Sequence, residues 1–190
     1  TDQDGVYKIQ SKFINILGIE PEINLGKKFT QSDLERELEI RNLNFKKAGE
    51  VAEKWVLSYE KKKYQKLGKN FTKRIKRISQ EYSRAGFDIV SYIDELSQFP
   101  DKLIEVKSYN VDRHFYWTEN EINKAFTERD SYYIYLVDRS LINTPDYNPI
   151  QLKDPVDKIF SSKRREYLIQ TSDDGVYKIY SERDGWKIEF

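Results

Sequence analysis

The sequence predicts an α/β fold, a mixed central sheet flanked by helices. Three observations carry that expectation. Residues 45–67 bear one apolar stripe at helical spacing, residues 87–92 and 102–109 are short runs of partly alternating apolar residues, and a second helical segment separates them from the apolar run 132–139. The order helix–strand–strand–helix–strand is that of a sheet with a helix on at least one face.

The elements follow in order. A short strand, VYKI, is predicted at 6–9, and the apolar run FINILGI at 13–19 suits either state. Residues 32–43 read as a helix, with Ser32 as N-cap and Glu35 three residues on, the spacing of a capping box. In the next segment Ala48, Val51, Ala52, Trp55, Val56 and Tyr59 recur at the spacing of one buried helix face, and Gly68 stands as its stop. FDIVSY (87–92) and KLIEVKSY (102–109) read as neighbouring strands joined by the turn-rich loop DELSQFPD. Thr118 with Glu121 predicts the cap of a helix running to Arg129. YYIYLVDR (132–139) is apolar enough for a central strand. A loop at 143–149, a short helix near 155–160 and strands with DDG and RDG turns complete the chain. DGVYKI occurs at both 4–9 and 174–179, which predicts one turn-plus-strand element used at both ends.

Composition narrows the chemistry. The chain of 190 residues carries 33 Lys+Arg against 32 Asp+Glu, a formal charge of +1, with no Cys, no Met and one His. Its length suits a single core of ordinary size, and 14 Tyr, 10 Phe and 3 Trp supply large buried areas to an otherwise polar sequence. The lack of Cys excludes disulfides, thiol nucleophiles and thiolate metal sites. A single histidine, His114, excludes sites built on two or more. Carboxylates and lysines remain as the groups able to do chemistry. Zero cysteines suit a reducing compartment, and a cytoplasmic location is the expectation. The longest apolar runs fall far below the roughly 20 residues of a membrane span. The missing initiator Met predicts one domain of a longer polypeptide.

Alternation brings such groups together. Asp88 points away from Phe87 and Ile89, and on the neighbouring strand Glu105 and Lys107 share a face opposite Ile104 and Val106. If the apolar sets face one core, Asp88, Glu105 and Lys107 converge on the other side. Two close carboxylates suit a hard divalent ion such as Mg²⁺, and a lysine beside them can stabilise phosphoryl charge. On spacing alone, a solvated strand face with a Glu–Lys pair is the plainer reading.

The segment Gly86-Phe87-Asp88-Ile89, followed by Leu103-Ile104-Glu105-Val106-Lys107-Ser108, resembles the metal site of the PD-(D/E)XK nuclease superfamily. Its surroundings resemble more closely the NO VEIN-type C-terminal domain, found in bacterial restriction, helicase and defence polypeptides. That pattern is a G-E-x-x-V-x-x-x-E helix, a G-[YF]-D-I strand, an [IL]-E-V-K strand, an N-E-x-x-x-A helix and a closing Y-x-[IL]-Y-x-V strand. Glu53, Val56 and Glu60 fit the first helix, Asn120, Glu121 and Ala125 the second, and Tyr132 to Val137 the last strand. Two departures stand out: Phe87 replaces the superfamily's nominal Pro, and Ala52 replaces the Gly of the helix.

The resemblance implies a restriction-endonuclease-like core with extra terminal strands: residues 1–44 as an N-terminal extension, 45–160 as the core, and 161–190 as a β-rich extension packed on it. It implies Mg²⁺-dependent hydrolysis of DNA, with Mn²⁺ as a substitute, by the cleavage module of a restriction or anti-phage system. Asp88 and Glu105 would hold the metal, Lys107 would be the catalytic lysine, and Glu53 would reach the metal from the helix. Glu53 also reads as a solvated helix flank, and Glu60 as a structural or orienting group. For the DNA backbone, residues 60–84 hold ten basic residues against two acidic ones. Lys61, Lys62, Lys63, Lys73, Arg74, Lys76 and Arg77 are its candidates, and Arg113, His114 and Tyr116 form a second surface, with Phe115 and Trp117 as core. DNA and other domains of a larger defence protein are the implied partners, with a homodimer for duplex cutting or a monomer for nicking. The alternatives are a non-catalytic module binding nucleic acid or a partner on the same scaffold, and a purely structural interaction domain.

Overall fold

A computed structural model describes residues 30–82, 84–160, 169–171, 178–182 and 185–190. The strand and the apolar run expected within 1–29, and the first DGVYKI copy, lie outside the described residues. The chain divides into two units, Thr1–Lys46 and Lys47–Phe190. Helix α1 (Gln31–Lys63) contributes its first half to the former and its second half to the latter.

The sequence predicts two helices between 32 and 67, and the structure has one. Nothing at 43–45 breaks a helix, since Asn44 and Phe45 are tolerated in its interior. The cap is Thr30, not Ser32: the Thr30 N–H donates to Asp33 Oδ2 at 3.0 Å and the Asp33 N–H donates to Thr30 Oγ1 at 3.2 Å. Its stop is Lys63, and Gly68 instead closes the following 3₁₀ turn with φ of 85°. The buried face differs too. Val51 is 50% exposed, whereas Ala52, Val56 and Glu60 are buried.

A short α2 (Lys69–Thr72) leads into a five-stranded mixed sheet of order β1-β2-β3-β5-β6: β1 (Lys76–Arg77), β2 (Ile89–Ser91), β3 (Lys102–Tyr109), β5 (Tyr132–Asp138) and β6 (Ile150–Lys153). β3 runs parallel to β5, and every other neighbour is antiparallel. The connection between β3 and β5 holds β4 (His114–Thr118) and α3 (Glu119–Glu128). β4 pairs with β9 (Gly185–Glu189) in a second sheet of order β4-β9-β8-β7, completed by β7 (Ile169–Thr171) and β8 (Lys178–Glu182). The second DGVYKI copy enters β8 at Lys178. The short helix α4 (Pro155–Ile159) falls where the sequence places it.

β3 is covered on both faces, and its alternation sorts two cores. Ile104 and Val106 join Ala52, Val56, Ile75, Ile89 and Tyr135 beneath α1. On the other face Leu103 packs with Ile134, Leu136, Ile122, Ala125, Phe115, Trp117 and Ile188 between α3 and the second sheet. β4 was not anticipated: its alternation sends Phe115 and Trp117 into that core and leaves His114 at the surface.

Beneath α1, Glu60 is fully buried. It accepts from Lys63 Nζ at 2.6 Å, from Ser91 Oγ at 2.7 Å and from Tyr135 Oη at 2.7 Å, and Lys102 Nζ lies 3.4 Å away. Burial pushes the Glu60 carboxyl up, but Lys102 and Lys63 outweigh it and hold the group below its ordinary value. Lys102 goes the other way: burial lowers it to about 8 against the pull of Glu60. The network ties α1 to β2, β3 and β5 at one point. Glu60→Ala leaves Lys102 buried without its carboxylate and is expected to cost about 3–5 kcal/mol. Glu60→Leu combined with Lys102→Met restores most of that loss, both read from urea unfolding midpoints.

Candidate functional site

The site forms where β2 ends beside the middle of β3. The last paired positions are Ile89↔Ile104, so Asp88 stands one residue beyond them, opposite Glu105. Its N–H donates to the Ile104 carbonyl at 2.9 Å, and its Oδ2 accepts the Val106 N–H at 2.8 Å. The carboxylate thus closes the ladder that β2 leaves open. Gly86 fixes the approach. It has φ of 76°, and a Cβ there would meet Lys124 Cβ at 2.7 Å, so α3 lies against backbone. Its carbonyl accepts from buried Tyr132 Oη at 2.9 Å. Phe87, in place of the nominal Pro, packs against the core beneath α3.

On β3, Lys107 Nζ lies 2.8 Å from Glu105 Oε1 and 2.6 Å from Glu121 Oε2. Glu121 is the N3 residue of the capping box of α3, and the same Oε2 accepts the Thr118 N–H at 3.0 Å. One carboxylate therefore starts the helix and holds the lysine. The sequence assigned Glu121 only the first of these roles. The available signal was an acidic residue at the start of the helix that follows the Glu-x-Lys strand.

The electrostatics follow from burial. The Asp88 carboxyl is pushed up to about 7 by burial and by the Glu53 charge, against the Val106 N–H and Lys107. Glu105 is raised well above the carboxylate range by burial and the charges of Asp88 and Glu121, against the pull of Lys107. Burial opposes the Lys107 charge, but Glu105 and Glu121 outweigh it and hold the ammonium above its ordinary value. Glu53 approaches from α1; it accepts from Ser79 Oγ at 2.6 Å and lies 3.6 Å from Arg77 Nη1.

Asp88, Glu105 and Lys107 therefore come together with Glu121, and Glu53 is close enough to repel Asp88. Among the described residues no group of three or more His, Asp or Glu side chains is spaced to hold a metal ion, so what is gathered is a pair. Asp88 and Glu105 suit a hard cation: both are oxygen donors, and each raises or shares a field that a cation would relieve. Mg²⁺ fits such a pair because it keeps several waters and takes one or two carboxylates.

The candidate basic residues separate into two groups. Lys63 is paired with Glu60, and Arg77 with Glu53. Lys61 is half-buried, and Lys62, Lys73 and Lys76 are exposed. Arg74 is half-buried, with its guanidinium 4.4 Å from the Tyr92 ring centre. Of the second surface, Arg113 and His114 are exposed and Tyr116 is half-buried on β4, with Arg113 stacked 5.0 Å from the Phe190 ring. No described helix is long and apolar enough to cross a membrane.

A family model described as Protein NO VEIN, C-terminal, matches residues 52–150. That span contains Glu53, Asp88, Glu105, Lys107 and Glu121 and every strand of the five-stranded sheet except the last three residues of β6. No curated protein and no solved structure gives a significant match.

A proton held on Asp88 links the site to stability. The folded value of about 7 lies above the ordinary 3.8, so between those limits the folded chain keeps a proton that the unfolded chain has lost. Stability then falls as pH rises from about 4 to 7 and levels off above. Asp88→Asn removes that slope and keeps an acceptor for Val106. At pH 8 without added metal it is expected to exceed the wild type by on the order of 1–3 kcal/mol in chemical denaturation.

Proposed function

The chain belongs to the NO VEIN C-terminal family, and from that membership together with the facing carboxylates we propose that it is a Mg²⁺-dependent DNA endonuclease domain. In this reading it is the cleavage module of a bacterial restriction or anti-phage polypeptide. The observation that carries the reading is buried Glu105 with half-buried Asp88 and Lys107, the lysine fixed between two carboxylates.

The reaction forms a bond between a water oxygen and phosphorus and breaks one P–O ester bond. The departing alkoxide takes up a proton, leaving a phosphomonoester and a hydroxyl. Asp88 and Glu105 would hold the divalent ion, which supplies Lewis-acid polarisation of the phosphoryl oxygens. Lys107 presents a permanent positive charge to the phosphoryl group, because its two carboxylate neighbours keep it protonated. Glu121 fixes the direction of that charge through a hydrogen bond anchored in the capping box. Glu53, bonded to Ser79, adds field at Asp88 and can hold a water.

A second reading, a nucleic-acid- or partner-binding module without catalysis, draws on one observation. Lys107 already provides Glu105 with a cation at 2.8 Å, and the described residues gather no three-ligand set.

Incubation of supercoiled plasmid with the full chain and Mg²⁺ or Mn²⁺ separates the two readings. Nicked or linear product that EDTA suppresses is the expected result. Asp88→Ala and Lys107→Ala should each lower the rate by about a hundredfold or more, the scale of removing one group that stabilises transition-state charge. Absence of cutting with either metal, or undiminished cutting in both variants, leaves the binding-module reading standing. A metal-induced rise in the thermal midpoint at pH 8, present in the wild type and lost in Asp88→Asn, is the accompanying readout of ion binding.

A further inference from the structure

The loop between β2 and β3 presents two large apolar side chains to solvent. Leu96 is 85% exposed and Phe99 is 77% exposed. The loop is nevertheless held in place from within. Asp94 accepts the N–H groups of Leu96 at 2.8 Å and Ser97 at 3.1 Å. Asp101 accepts the Ile93 N–H at 2.7 Å and Ser97 Oγ at 2.6 Å. Tyr64 Oη donates to the Tyr92 carbonyl at 2.6 Å. Arg74, stacked over Tyr92 and Phe71, donates to the carbonyls of Ser97 and Gln98. Large apolar side chains this exposed on a braced loop, with none of the described residues packed over them, mark an interaction site.

The flank of the loop says what. Lys73, Arg74 and Lys76 line an open concavity of about 620 Å³ with Val90, Tyr92 and Pro100. Lys73 and Lys76 project there exposed. The loop's own acids are Asp94, Glu95 and Asp101, and the first and last turn inward to bind its N–H groups and Ser97. The concavity beside the loop is lined by three cations and no acid, which suits a phosphate backbone.

Register connects this surface to the carboxylates. Lys76 pairs with Val90, and Val90 with Leu103. By alternation Val90 shares the sheet face of Asp88, two residues away, or roughly 7 Å along the strand.

We propose that the Ile93–Pro100 loop is a wedge that inserts Phe99 and Leu96 against unstacked bases of duplex DNA, while Lys73, Arg74 and Lys76 grip the backbone on the sheet face that Val90 shares with Asp88. The proposal rests on DNA as the substrate and adds that the domain distorts the duplex beside the site. Apolar side chains pushed between base steps open the stack, and cations beside them hold the bent strand.

The test is fluorescence of duplex DNA carrying 2-aminopurine, titrated with the full chain in Ca²⁺ or EDTA so that no cutting intervenes. An unstacked 2-aminopurine brightens, so binding by the wild type is expected to raise emission several-fold. Phe99→Ala and Leu96→Ser abolish the rise and weaken binding by about tenfold each. Both side chains are exposed, so thermal midpoints should not move, and that measurement guards against misfolding. Lys73→Glu with Lys76→Glu weakens binding more and lowers the log–log salt slope by roughly 2. Binding without any rise in emission, a rise that survives Phe99→Ala and Leu96→Ser, or no binding to duplex DNA overturns the wedge. Plasmid cutting reports separately on the nuclease reading. Bright binding without cutting keeps the wedge and removes catalysis, and cutting without brightening does the reverse.

Discussion

Everything in the larger unit is arranged around a strand that is buried on both faces and still carries a glutamate and a lysine. β3 lies between two cores, with Ile104 and Val106 turned towards α1 and Leu103 towards α3. Glu105 and Lys107 occupy the second of these faces, with side chains 6% and 13% exposed, where little water reaches them. A buried charge without a partner costs several kcal/mol, so the neighbours must supply the balance. They do it within one layer: Lys107 takes Glu105 on its own strand and Glu121 on α3. The crossover between the parallel strands β3 and β5 is therefore electrostatically tied to the strand it leaves. The start of α3 cannot shift without separating Lys107 from its second carboxylate.

The face beneath α1 meets the same difficulty with a different outcome. Glu60 is enclosed by Lys63, Lys102, Ser91 and Tyr135, and its hydrogen bonds are met by protein. Nothing there is left over for chemistry. At the end of β2 the balance is unequal. Asp88, Glu105, Glu53 and Glu121 place four carboxyl groups within interaction range, against Lys107 between Glu105 and Glu121 and Arg77 3.6 Å from Glu53. Burial, reinforced by the neighbouring negative charges, raises two of the carboxyls. Perturbation of this kind, from burial plus named charged neighbours, sets this cluster apart from the network beneath α1. The Glu60 network is the internal comparison: its carboxyl is held down, not up.

Legibility followed physical locality. β3 was read with its observed ends, because apolar alternation and turn residues at both ends are local signals. The Thr118–Glu121 box was also legible, being set by a three-residue spacing. Convergence of Asp88, Glu105 and Lys107 followed from pairing parity alone. What failed depended on distant partners. Glu60 reads from the sequence as a structural or orienting group, but its partners were not legible: it holds a core position, and only Lys102, Ser91 and Tyr135 make it tolerable there. The apolar stripe predicts a buried Val51, but the stripe drifts along the helix, and only packing decides which edge faces inward. β4 needed β9, some 70 residues away, to become a strand. The second role of Glu121 needed the fold to bring α3 against β3.

The near-zero net charge conceals how the basic segment is divided. Of the lysines and arginines between 60 and 84, Lys63 and Arg77 pair with Glu60 and Glu53, while Lys73 and Lys76 face out beside Val90. The division follows the pleat: in β1, Arg77 pairs with buried Ile89 and turns to α1, and Lys76 pairs with Val90 and turns to the other side. Adjacent cations in the sequence thus serve opposite ends of one problem. One steadies the helix carboxylate beside Asp88, and the next stands on the face that the carboxylate pair shares. A strand of two residues is enough to separate holding the site together from facing what approaches it, because side-chain direction reverses at each step.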